Sequence, residues 1–99
     1  MQQLNHLQFT NTGIEGLDGL ENVSALETLI LRKNRLQRPP DLYGVRGLRY
    51  LDMSFNPLHA LPDITALPDL KTLVMEGTPI HPRALADLQD ANPTLEVRY

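Results

Sequence analysis

Two carboxylates, Asp52 and Glu76, and two imidazoles, His59 and His81, come nearest to chemistry by residue type and spacing in this 99-residue sequence. A carboxylate pair can share a proton as acid and base, and a histidine pair can share a metal ion or sense pH. Each pair lacks its third member. Ser54 follows Met53, yet the histidine on the same kind of segment is His6, two repeats away. Ser24 is the only other serine. His59 and His81 are continued at the same interval by Gln37 and Glu15, and Glu15 is too distant to complete a metal site. The plainer readings are a surface carboxylate pair and two solvated histidines. There is no cysteine, which excludes disulfides, thiolate zinc sites and thiol nucleophiles. The sequence therefore predicts no enzyme, no metal and no cofactor.

A second group is basic. Arg32, Lys33, Arg35 and Arg38 fall within seven residues of chain. They could receive an acidic protein segment, a phosphate or a nucleic acid backbone. The alternative is a solvated edge facing the acidic Glu15, Asp18 and Glu21. Nucleic acid is the weaker candidate, because no glycine-rich phosphate loop is present and aromatics make up only 5% of the chain. A net charge of −3 is too small to predict nucleic acid or a membrane surface as the partner of the whole chain.

What positions these side chains is a repeat. Similar phrases open at Leu4, Leu26, Leu48 and Leu70, each 22 residues after the last. They read LNHLQFTNTGI, LETLILRKNRL, LRYLDMSFNPL and LKTLVMEGTPI. A fifth, NPTLEVRY, opens at Asn92 after the same interval and forms the terminal strand over residues 92–99. All four complete phrases fit L-x-x-L-x-L-x-x-N-x-L, with Thr12 and Thr78 in place of asparagine.

The central alternation predicts a short strand whose apolar pair points inward. The pairs are Leu7/Phe9, Leu29/Leu31, Leu51/Met53, Leu73/Met75 and Leu95/Val97. One repeat cannot bury such a face, but stacked repeats form a parallel sheet with a continuous core. Asn34 and Asn56 stand where each strand turns away, placed to satisfy buried backbone groups of adjacent repeats. The return segments carry apolar residues three apart (Leu17, Leu20, Val23; Pro39, Leu42, Val45; Leu61, Ile64, Leu67), which predicts 3₁₀ turns or tight loops. The fourth return differs. Residues 81–91 read as an α-helix, with Pro82 in its first turn, Leu85 and Leu88 inward and Asn92-Pro93 as its stop.

These phrases resemble the leucine-rich repeat family over nearly the whole chain. They are most similar to its 22-residue class, typified by the regulatory subunit of type 1 protein phosphatase. The ending from Gly77-Thr78-Pro79-Ile80 through the helix to residues 92–97 resembles that class's C-terminal cap. The resemblance implies an α/β solenoid: one domain over residues 1–99, a short curved parallel sheet of about five strands, a convex side of 3₁₀ turns and loops, and one C-terminal helix. It also implies that the concave strand face binds protein.

On that face the outward columns are Gln8, Ile30, Asp52, Val74, Glu96 and His6, Thr28, Tyr50, Thr72, Thr94. They are flanked by Thr10, Arg32, Ser54, Glu76, Arg98 and by Asn11, Lys33, Phe55, Gly77, Tyr99. The expected contact residues are Ile30, Arg32, Lys33, Tyr50, Asp52, Phe55, Val74 and Glu76, an apolar patch rimmed by charge. The expected partner is a protein, with an acidic segment as one form of it, and not a small molecule or a membrane. The alternative function is a targeting or structural segment of a larger effector or signalling protein. Only Met1, Gln2 and Gln3 precede the first repeat, so self-association through an uncapped first repeat is a further expectation. Cytoplasm is the expected compartment, since the start of the chain lacks a signal-peptide pattern.

Overall fold

The computed structural model describes residues 4–99. Each repeat contributes one three-residue strand: β1 His6–Gln8, β2 Thr28–Ile30, β3 Tyr50–Asp52, β4 Thr72–Val74 and β5 Glu96–Arg98. They form a single parallel sheet in sequence order. A parallel neighbour needs a crossover, and the return segment of each repeat supplies it. Backbone bonds extend the ladder beyond the strands, as from Leu31 N to Asp52 O (2.7 Å), Met53 N to Val74 O (3.0 Å) and Met75 N to Arg98 O (2.8 Å).

The expected inward residues form the core. Leu29, Leu31, Leu51, Met53, Leu73 and Met75 are buried, joined by Leu26, Leu36, Leu48 and Leu58. The first coil is looser: Leu4 is exposed and Leu7 and Phe9 are half-buried. The return segments contain the expected tight turns, 3₁₀ at Leu20–Val23 and Ile64–Ala66 and three-residue turns closing on Leu42 and Val45. Gly44 lets the first two returns meet, since a Cβ there would fall 2.5 Å from Glu21 Cα.

The fourth return is the α-helix α1, Pro82–Ala91. His81 caps it, its Nδ1 accepting from Arg83 N at 3.0 Å, and Pro82 takes the first helical position, where no N–H is needed. Leu85 is buried and Leu88 is half-buried. Gln89 ties the helix to the last strand: its Nε2 donates to Leu95 O, and its Oε1 accepts from Val97 N at 2.8 Å. The helix consumes more chain than a 3₁₀ turn. The register therefore changes: β1 to β4 align at intervals of 22, as His6 with Thr28, but Thr72 aligns with Glu96, 24 residues on. Val97 thus matches Leu73 and Arg98 matches Val74. This corrects the outward columns: Glu96 takes the place read for Thr94 and Arg98 the place read for Glu96, so Arg98 and Tyr99 drop out of the two flanking columns.

The asparagine ladder works across coils. Asn34 Oδ1 accepts from Thr12 N, Thr12 Oγ1 and Gly13 N, and its Nδ2 donates to Phe9 O at 2.7 Å. Asn56 Oδ1 accepts from Leu36 N, and its Nδ2 donates to Leu31 O at 2.8 Å. Thr78 Oγ1 reaches only Met75 O in its own coil.

Candidate functional site

The chain leaves each of the first four strands through the same backbone device. Asn11, Lys33, Phe55 and Gly77, one per coil, all have left-handed φ, between 57° and 65°. This conformation suits Gly77 and Asn11 and strains Lys33 and Phe55. Its effect is to turn a side chain out beside the sheet. Phe55 is 44% exposed, and one face of its ring covers Gly77 so closely that a Cβ there would lie 2.3 Å from Phe55 Cδ1. The guanidinium of Arg32 sits 5.1 Å from the ring centroid, a cation–π contact.

Arg32 is paired with carboxylates of the two following coils. Its Nη1 donates to Asp52 Oδ2 at 2.9 Å and lies 3.7 Å from Glu76 Oε1. The hydrogen bond to Asp52 raises the Arg32 pKa against a smaller opposing effect of burial. Asp52 is only 3% exposed, and its other oxygen accepts from Ser54 N at 3.0 Å. Ser54 is buried too, its Oγ accepting from Glu76 N at 2.9 Å. Asp52, Arg32, Ser54 and Glu76 thus form a connected polar network along the sheet.

Two of the expected contact residues are misplaced by the sequence reading. Asp52 and Val74 have the outward phase but are buried. Arg32 reaches across Asp52. Val74 lies in register between Asp52 and Arg98. Ile30, Tyr50, Arg32 and Glu76 are half-buried, while Lys33 and Phe55 are exposed. The structure therefore brings Ile30, Arg32, Tyr50, Phe55 and Glu76 to one open face. The acidic-segment expectation changes with them, because Arg32 has its counterions already. Among the described residues, ion pairs are made only by Arg32 and by Arg98 with Glu96, so Lys33, Arg35 and Arg38 carry the uncompensated charge of that stretch.

His59 and His81 line a groove of about 410 Å³ with Leu58, Ala60, Leu61, Pro79, Ile80 and Ala84. The Nδ1 of His81 is committed to the helix cap. Among the described residues, no group of three or more His, Cys, Asp or Glu side chains is placed to hold a metal. On the return side, Tyr43 Oη donates to Asp63 Oδ2 at 2.6 Å, and Asp63 caps the following 3₁₀ turn through Thr65 N. Bonds from Thr65 and then Tyr43 lower the Asp63 pKa, and the Tyr43 pKa is raised in turn.

Residues 47–67 match the Leucine Rich Repeat family model. That match spans the third coil, whose strand register recurs in the coils on either side. The comparison with curated proteins yields no match. Among the described residues, no helix is long and apolar enough to cross a membrane.

Proposed function

We propose that the whole chain is a leucine-rich repeat solenoid of the 22-residue class and that its strand face, taken as concave, binds a protein partner. Leucine-rich repeats generally mediate protein–protein interaction, using the extended surface that stacked repeats create. The observation that carries the reading is Phe55, held 44% exposed just beyond the end of β3, in the sheet whose face carries half-buried Tyr50 and Ile30. An exposed aromatic, held in place by its contacts with Gly77 and Arg32, is the kind of side chain that anchors an interface. The Arg32–Asp52–Glu76 network then fixes the shape and polarity of the surrounding rim. In this reading α1 and β5 serve as the cap of the last coil, as in the type 1 phosphatase regulatory subunit class, and no catalytic role is assigned to any residue.

The test is affinity capture with the wild-type chain and with Tyr50→Ala/Phe55→Ala, after circular dichroism shows both are folded. Truncating central anchors costs about 2 kcal/mol or more, roughly a thirty-fold loss of affinity. A partner retained equally by both chains would move the binding surface off this face.

A further inference from the structure

The three residues Arg35, Leu36 and Gln37 are pinned in succession. Arg35 N donates to Ile14 O in the coil before (2.8 Å), Leu36 N donates to Asn56 Oδ1 in the coil after (3.1 Å), and Gln37 O accepts from His59 N (2.9 Å). The Leu36 side chain is buried between the two exposed ones. Pro39 and Pro40 then restrict the backbone beyond Arg38. Arg35, Gln37 and Arg38 therefore project from a backbone with little freedom left, and with Glu15 they line a pocket of about 260 Å³. Among the described residues, neither arginine forms an ion pair.

We propose that this pocket is a binding site for a phosphate monoester carried on a peptide, separate from the strand face. Two guanidiniums offer planar, paired donors, and the Gln37 amide adds another; three terminal phosphate oxygens use this set more fully than the two of a carboxylate. Anchored roots reduce the ordering cost of binding. Glu15 selects among phosphate sources. A carboxylate in the wall opposes either phosphate, but it can accept from the amide N–H that lies next to a phosphorylated serine, a peptide donor that inorganic phosphate lacks. The site does not depend on the strand-face reading, since none of its four residues lies on that face.

The probes are N-acetylphosphoserine amide, N-acetylserine amide and inorganic phosphate, titrated at constant ionic strength while the arginine Nε–Hε NMR signals are followed. The phosphoserine amide should shift Arg35 and Arg38 saturably and leave Arg46, an exposed control, in place. It should bind at least about five-fold more tightly than either other probe, and Arg35→Ala/Arg38→Ala should weaken it at least about ten-fold. Glu15→Ala should erase the preference over inorganic phosphate, because the peptide amide loses its acceptor. Equal shifts at Arg46 would overturn the proposal by showing general screening. Equal affinity for inorganic phosphate in the wild type would overturn the peptide assignment. A Tyr50→Ala/Phe55→Ala chain should give the wild-type titration, which separates failure here from failure of the strand-face reading.

Discussion

Replacing Asn56 by alanine should be the most damaging single polar substitution in the chain. Asn56 is 2% exposed, and its amide bonds Leu36 N, Leu31 O, Met53 O and Ser54 O. Two of these groups have a second partner: Leu31 O accepts from Asn34 Nδ2, and Ser54 O accepts from Lys33 N. The Leu36 N–H and the Met53 carbonyl would lose their only protein partner among the described residues. At about 1–3 kcal/mol for each buried group left unpaired, the loss is about 2–6 kcal/mol. With roughly 4–8 °C per kcal/mol for a domain of this size, a mid-range loss of about 4 kcal/mol lowers Tm by about 16–32 °C. Thermal melts followed by circular dichroism measure it, with urea unfolding to obtain the free energy. Gln37→Ala, exposed and without a side-chain hydrogen bond among the described residues, is the control and should stay within about 0.5 kcal/mol of wild type. An Asn56→Ala shift no larger than the control's would refute the reasoning, since it would mean those backbone groups reach water.

Three further outcomes follow from the same geometry. Gly77→Ala should cost about 1–3 kcal/mol, because alanine at a left-handed φ is strained and its Cβ meets the Phe55 ring; in a Phe55→Ala background the cost should fall by at least about 0.5 kcal/mol, and additive losses in urea unfolding would deny the contact. Arg32→Met leaves the buried Asp52 carboxylate without its ion-pair partner and should destabilise by about 1–3 kcal/mol, discounted for the partial exposure of Arg32; Arg32→Met/Asp52→Asn should recover part of this, and no recovery would mean Arg32 acts by packing alone. Asp63 should titrate below the ~3.9 of an aspartate in an unfolded peptide, so its capping contribution is present above that value and is lost as pH falls through its lower folded pKa; carbon-detected NMR should show the midpoint moving part-way back in Tyr43→Phe, and an unmoved midpoint would show that the Tyr43 bond does not form in solution.

The repeat made most of the fold legible, because a fixed period and an inward leucine pair are enough to place parallel strands and to phase them. Leu29/Leu31, Leu51/Met53 and Leu73/Met75 are buried as their alternation requires, and Asn34 and Asn56 meet the backbone groups that their position predicts. The period failed where its physical basis changed. The ten residues of α1 lengthen the fourth crossover, so β5 enters two residues later than extrapolation allows. Alternation gives the direction of a side chain but not what lies over it, and so Asp52 and Val74 kept the right phase while their burial stayed hidden. The long Arg32 side chain reaches Asp52 across a sequence separation that no local pattern reveals. The left-handed column was also concealed. Only Gly77 and Asn11 are residue types that advertise that backbone, and the signal for Lys33 and Phe55 lay in their constant spacing from them. Gln89 reads as one more polar helix residue until β5 is placed beside it.

The central claim is that a protein docks on the strand face at Phe55, and crosslinking from defined positions tests it most directly. A benzoylphenylalanine introduced as Phe55→benzoylphenylalanine reports contacts at the strand face. The same probe placed as Tyr43→benzoylphenylalanine reports from the return side, where Tyr43 is 64% exposed. After irradiation in the presence of the captured partner, the account predicts a specific crosslink from position 55 and none from position 43. A crosslink from position 43 with none from position 55 would contradict it.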